Sequence, residues 1–169
     1  MKDLVSIIIP MYNSELNIKS LIDSIKKQTY ENFEVLFIDD FSKDSTVKLC
    51  KEAISEDKRF KIFLNKENCG VSVSRNIGIN NCNGKYIIFI DSDDKIYENT
   101  VEFLVQKINQ NNADLVIGNY KYNNGTENKI LENKISEDIY DIQVNILLDN
   151  KESRANFGNP RSVWGKIYK

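Results

Sequence analysis

Short apolar runs that stop abruptly at polar residues recur along this chain, and a helical stripe follows nearly every one. The first run covers residues 4–9, is rich in β-branched side chains and ends at Pro10. Similar runs occupy 33–38, 60–64, 86–90 and 115–118. Continuous apolar stretches of this length suit strands buried on both faces. Between them, Ile18, Leu21, Ile22 and Ile25 recur at helical spacing, as do Val101, Leu104, Val105 and Ile108. Val47, Cys50, Ala53 and Ile54 make a third stripe, and a helix over about 71–82 fills the remaining interval. Ser14 is placed to cap the first helix, Ser42, Asp44 or Ser45 to start the second, and Asn99 or Thr100 the last. Alternating strands and helices predict an α/β fold, with a mostly parallel sheet flanked by helices on both faces.

The pattern holds to about residue 120 of 169, which defines a core over 1–120. Residues 121–169 read as an elaboration of the same domain. In that part, Asn123-Asn124-Gly125 marks a turn between two strands, 139–148 an amphipathic helix, and Gly158-Asn159-Pro160 a loop before Val163.

Composition removes whole classes of chemistry. There is no histidine, so Ser-His-Asp triads, Cys-His pairs and HExxH zinc sites are excluded. Catalysis or metal binding must rest on carboxylates, hydroxyls, amides and backbone. A net charge of −2 without a basic block gives no footprint for nucleic acid. No apolar stretch reaches spanning length, so no transmembrane segment is predicted within this chain. The odd, unpaired set Cys50, Cys69 and Cys82 suits a reducing cytosol.

In open parallel sheets, ligands bind at the carboxyl ends of strands. Four strand ends here carry unusual residues and should share one edge. The first reads Pro10-Met11-Tyr12-Asn13, the second Asp39-Asp40, the third leads to Asn68-Cys69-Gly70, and the fourth reads Asp91-Ser92-Asp93-Asp94. Three carboxylates in four residues either cap the next helix from a solvated turn or hold a hard divalent cation, Mg²⁺ or Mn²⁺. One acid of the Asp39-Asp40 pair is placed to accept from a ribose or base, while the other bonds the loop backbone. Tyr12 offers a ring on which a base stacks or which merely packs, and Asn13 offers an amide. Arg75 is one of four arginines against 19 lysines. It either binds a diphosphate bidentately or pairs with a strand-end acid. The glycines match neither a dinucleotide fingerprint nor a Walker loop.

Val5–Asn13, then Ile38-Asp39-Asp40-Phe41-Ser42-Lys43-Asp44-Ser45-Thr46, then Asn68-Cys69-Gly70 with Ser74-Arg75-Asn76, then Gly84 through Asp94 occur in that order. Together these segments resemble the nucleotide-sugar-binding half of family-2 glycosyltransferases, which have the GT-A fold. The resemblance spans about residues 4–120, with an echo in Val163-Trp164-Gly165-Lys166-Ile167-Tyr168. It implies a donor such as a UDP-sugar, with the base near Pro10 and Tyr12 and with Asp40 on the uracil or ribose. Asn13, Arg75, Asp91 and Ser92 complete the implied donor set. Asp91 and Asp93 match the DxD metal motif, and Asp94 belongs to its extended form, sharing the metal or contacting ribose. Phe41 stands where such proteins commonly have Gly.

The resemblance further implies inverting transfer to a glycan or lipid-linked acceptor, in polysaccharide biosynthesis in the cytoplasm or at the inner face of a membrane. The base of such enzymes lies in an acidic motif beyond the Trp-Gly-Lys segment, after Lys169 here. This chain is therefore expected to be an N-terminal portion of a longer transferase. Glu137 and Asp138 precede that segment and read as a helix start. A non-catalytic nucleotide-sugar-binding module is the alternative. A nucleotidyltransferase is disfavoured, because Met11-Tyr12-Asn13-Ser14-Glu15 has neither Gly nor a cation.

Overall fold

The first apolar run forms strand β1 (Val5–Met11), buried along its whole length. It runs through Pro10 rather than ending there. Its neighbours are β2 (Phe33–Asp39) and, after helices and β3 (Phe60–Leu64), β4 (Tyr86–Phe89). All three pairings, β1 with β2, β1 with β4 and β2 with β3, are parallel. The pairing of β1 with β4 stops at Ile8 opposite Phe89, and the Ile8 carbonyl accepts the last bond from the Ile90 amide. Pro10 lies two residues on and faces the same side, beyond the end of β4. Its missing N–H therefore costs no ladder bond.

The structure is a computed structural model and describes residues 2–118, 120–123, 128–131 and 166–169. Its helices are α1 (Ile18–Lys26), α2 (Thr46–Ile54), α3 (Val71–Asn81) and α4 (Thr100–Gln110). Two strands follow at the far side of the sheet, β5 (Leu115–Ile117) and, after the hairpin β6 (Tyr120–Asn123) and β7 (Asn128–Leu131), β8 (Lys166–Tyr168). The sheet order is β3-β2-β1-β4-β8-β5, and β8 runs antiparallel to both neighbours. The mostly parallel sheet expected from the alternation is present. The strands flanking Asn123-Asn124-Gly125 also form and pair antiparallel. The helix expected over 139–148, the 158–160 loop, and Glu137 with Asp138 lie outside the described residues.

Strand alternation divides the core. Ile7, Ile9 and Met11 belong to a large cluster with the apolar stripes of α1, α2 and α4. Ile8 joins Leu36, Ile38 and Phe89 in a smaller cluster on the opposite face, where Ile77 of α3 packs. Helices thus cover both faces, although among the described residues α3 stands alone on the second. Ile7, Ile8 and Ile9 are wholly buried, and each such side chain contributes about 1.5–3 kcal/mol relative to exposure. Helix α3 sits close to the sheet because residue 78 is glycine. A Cβ there would collide with Cγ2 of Ile8 and come within 3.3 Å of Cδ1 of Ile38.

Candidate functional site

The chain winds outward from β1 through β2 to β3, then returns to place β4 on the other side of β1. Parallel sheets leave a crevice at such a reversal, outside the carboxyl ends of the strands. A cavity of about 630 Å³ opens there. Pro10, Tyr12, Asn13, Asp40, Arg75, Asp91 and Ser92, all marked from the sequence, line it together with Asp93. Asp94 does not line it. Asn17, Asn68, Gly70 and Val71 line it as well. Asn68 and Gly70 were visible as an unusual strand-end segment. Asn17 and Val71 carried no sequence signal beyond their position at helix starts.

The loops that follow β1 and β2 are tied together residue by residue. The Asn13 amide donates to Ser42 Oγ at 3.0 Å, and Asn13 Oδ1 accepts from the Lys43 amide at 2.9 Å. The Ser14 amide donates to Thr46 Oγ1 at 2.6 Å, the Glu15 amide to Asp44, and the Ser45 amide back to Glu15. Two residues in these loops have left-handed backbones, Asn13 at φ 48° and Phe41 at φ 70°. Position 41 thus has the conformation that glycine adopts without strain, and the bulky residue there keeps the turn at a cost of about 1–3 kcal/mol. The Lys43 ammonium sits 3.2 Å from the centre of the Phe41 ring. Tyr12 is half exposed, leaving its ring available to a ligand.

Asp39 and Asp40 are both 4% exposed but differ in their partners. Asp39 Oδ2 accepts from the Ser42 amide at 3.1 Å, while its Oδ1 has no partner among the described residues. Asp40 accepts from the Asn65 side-chain amide and the Cys69 amide, each at 2.8 Å, and from the Gly70 amide at 2.7 Å. Gly70, at φ 86°, opens α3. Burial acts against the charge of Asp40, but the Cys69 amide, Asn65 and the Gly70 amide outweigh it and hold the carboxyl below its ordinary range. Asp40 therefore organises the 65–70 loop while its carboxylate still lines the cavity.

On the β4 side, the Asp91 carboxylate meets the Arg75 guanidinium at 2.9 Å. Of the two roles open to Arg75, pairing with a strand-end acid is present in the structure. Its Nε is buried with no partner among the described residues, and the side chain lines the cavity. The Asp94 amide bonds the Asp91 carbonyl at 3.1 Å and closes the acidic turn. Burial first, then the charges of Asp93 and Asp91, push the Asp94 carboxyl up to about 6. Among the described residues, no three acidic side chains gather into a ready cage for an ion. Asp91 and Asp93 both reach the cavity, however. Mg²⁺ and similar ions are commonly held by one or two carboxylates plus ligand phosphates. The paired acids fit an ion shared with a bound diphosphate.

Ser14 does not cap α1 with its side chain. Helix α1 begins later, after Asn17, and the Ser14 carbonyl takes the Asn17 and Ile18 amides. Its hydroxyl instead meets the Ser92 hydroxyl at 2.7 Å.

Comparison with known proteins adds independent findings. The model of glycosyl transferase family 2 matches residues 6–162. Glycosyltransferase GlyA of Streptococcus pneumoniae is 37% identical over 172 residues, covering 99% of this chain and 24% of GlyA. The Escherichia coli UDP-Glc:alpha-D-GlcNAc-diphosphoundecaprenol beta-1,3-glucosyltransferase WfgD is 36% identical over 143 residues, 77% of this chain and 56% of WfgD. Among solved structures, Staphylococcus aureus TarS 1-349 in complex with UDP-GlcNAc superposes with a TM-score of 0.71 at 29% identity. That superposition covers 78% of this chain and 38% of the TarS chain. The chain thus spans between 24% and 56% of the length of these proteins.

Proposed function

Because this chain belongs to glycosyl transferase family 2, we propose that it forms the donor side of a glycosyltransferase. It binds a nucleotide-diphospho-sugar, with a UDP-sugar favoured, for transfer to a hydroxyl of a glycan or lipid-linked acceptor. One observation carries this reading. Across the sheet edge from β2 through β1 to β4, a single cavity presents a carboxylate, an aromatic face, and then a cation beside paired acids. A base needs an acceptor and a stacking surface, and a diphosphate needs a cation. The names of WfgD and of the TarS complex, which mention UDP-Glc and UDP-GlcNAc, support the nucleotide.

In this reading Tyr12 stacks on the base, and Asp40, which lines the cavity, accepts from the base or ribose. Asn13 Oδ1 is taken by the Lys43 amide, so its NH₂ is the group offered to the ligand. Arg75, which lines the cavity, donates to the diphosphate from its guanidinium. Asp91 and Asp93 would hold Mg²⁺ or Mn²⁺, with Asp94 behind them. When bound, the ion neutralises charge on the departing diphosphate. Among the described residues, the acids lining the cavity are Asp40, Asp91 and Asp93, all on the donor side. We therefore assign the base for inverting transfer to none of them. No helix among the described residues is long and apolar enough to cross a membrane. We place the activity in the cytoplasm or at the inner face of a membrane.

Calorimetry of the 169-residue chain with UDP, with and without Mn²⁺, tests the reading. Mn²⁺ should raise UDP affinity by about fivefold or more, and Asp93→Asn, at an exposed position, should remove that gain while the chain stays folded. Equal affinity with and without Mn²⁺ removes the ion from the site. Absence of UDP binding refutes the donor site itself. Transfer by this chain alone should be weak, since a general base contributes about 10²- to 10⁴-fold. Efficient glycoside formation, seen as UDP release with product mass, would return the base to residues 1–169, with Glu137, Asp138 and Asp94 as the candidates.

A further inference from the structure

The two ends of the donor site are built on different segments, and their connection is sparse. The loop after β1 carries Tyr12 and Asn13, while the turn after β4 carries Asp91 and Asp93. Backbone pairing between the two strands ends with the Ile90 amide on the Ile8 carbonyl. Beyond it, among the described residues, one hydrogen bond joins loop to turn, the 2.7 Å contact between the hydroxyls of Ser14 and Ser92. Ser14 is 8% exposed. Its hydroxyl also contacts the Tyr12 carbonyl at 3.3 Å, so the pair reaches back to the residue bearing the aromatic ring.

The two segments are unequally anchored. The β1 loop is fastened to the β2 loop through Asn13, Ser14 and Glu15. The acidic turn itself hangs from the Arg75 ion pair, its own Asp91–Asp94 bond and Ser92, and its exit is held by the Ile96 amide on Ser24 Oγ at 3.3 Å. Ser92 stands between the two acids that face the cavity, so its height relative to Ser14 sets theirs. We propose that the Ser14–Ser92 hydroxyl pair is a positioning device that couples the nucleoside end of the donor site to its diphosphate end. Ser14 is a positioning residue, acting through Ser92 on the acidic turn, and the inference rests on the nucleotide reading of the cavity.

The coupling separates two probes. Uridine engages the β1 loop and Asp40 without reaching the acidic turn, whereas UDP with Mn²⁺ spans loop and turn. Ser14→Ala keeps the backbone bonds of residue 14 and removes the hydroxyl. It should leave uridine affinity within about twofold and weaken UDP with Mn²⁺ by about 3- to 10-fold, the scale of one net hydrogen bond. Ser92→Ala should give the same loss, the double variant no more than either single one, and Ser92→Thr should restore binding. Parallel loss of uridine and UDP would reduce Ser14 to a general structural role and overturn the proposal, as would additive losses in the double variant. Amide hydrogen exchange on the ligand-free chain decides the pair without any nucleotide. Ser14→Ala should accelerate exchange at Asp94 but not at Asn13 or Ser14, and unchanged exchange at Asp94 would refute the coupling. Should the wild-type chain bind neither probe, the nucleotide reading falls, and the exchange experiment still judges the hydroxyl pair.

Discussion

Replacing Asp40 with asparagine changes one oxygen into an amide and leaves the shape almost intact. The carboxylate accepts from Asn65 and the Cys69 amide on Oδ1 and from the Gly70 amide on Oδ2. Asparagine can keep its oxygen on the first pair, but its NH₂ then faces the Gly70 N–H, donor against donor. One charge-assisted bond is lost at about 1.5–3 kcal/mol, and a part-buried N–H loses its acceptor. Asp40→Asn should therefore destabilise the chain by about 2–4 kcal/mol at neutral pH. Asp40→Ala strands all three donors and should cost more.

The pH dependence has a definite sign. Burial opposes ionisation of Asp40, yet the bonds from Cys69, Asn65 and Gly70 hold its folded carboxyl below the ordinary value. The stabilisation is complete above the unfolded pKa of about 3.9 and is lost as pH falls through the lower folded value. Urea unfolding of wild type and Asp40→Asn should show a constant gap from about pH 5 to 7 that narrows below about pH 4. A gap under about 0.5 kcal/mol at pH 7, below the net value of an ordinary hydrogen bond, would refute the reasoning, and so would one that widens in acid. Nucleotide affinity of the variant has to be read where it is fully folded, because the residue serves both loop and ligand.

Gly84→Ala should destabilise more than Gly78→Ala. A Cβ at 84 would lie 2.5 Å from the Ser6 amide and 2.8 Å from the Tyr86 carbonyl, both fixed backbone. At 78 the collision is with the Ile8 side chain, and helix propensity returns about 1 kcal/mol; thermal unfolding midpoints give the order, and the reverse would show that α3 cannot shift. At position 41, Phe41→Gly should be more stable than Phe41→Ala by about 0.5–1 kcal/mol, because both lose the Lys43 contact but only alanine keeps the left-handed strain. Equal urea midpoints for the two variants would show that the turn relaxes.

The strand-and-helix alternation, the division between buried and exposed faces and the acids at strand ends were legible in the sequence. They depend on short-range periodicity, and the runs at 4–9, 33–38 and 86–90 announce strands whatever their partners. Once those strands are parallel, chain direction alone sends Tyr12, Asp40 and Asp91 to one edge. Strand boundaries were less legible. Proline looks like an end in sequence, and β1 continues through Pro10 only because β4 stops at Phe89.

Tertiary structure decided what each group touches. Asp39 and Asp40 are adjacent and chemically identical, yet one holds a single loop amide and the other three donors, because the 65–70 loop reaches only one of them. Arg75 could have faced either a ligand or an acid, and the close seat of α3 over Gly78 sets it against Asp91. Ser14 has the residue type and position of a helix cap, but its hydroxyl found a partner 78 residues away. Strand β8 enters antiparallel between β4 and β5, which no local pattern around residues 166–168 announces. Periodicity is a property of neighbouring residues, whereas hydrogen-bond partners are chosen among groups brought together only when the whole sheet closes.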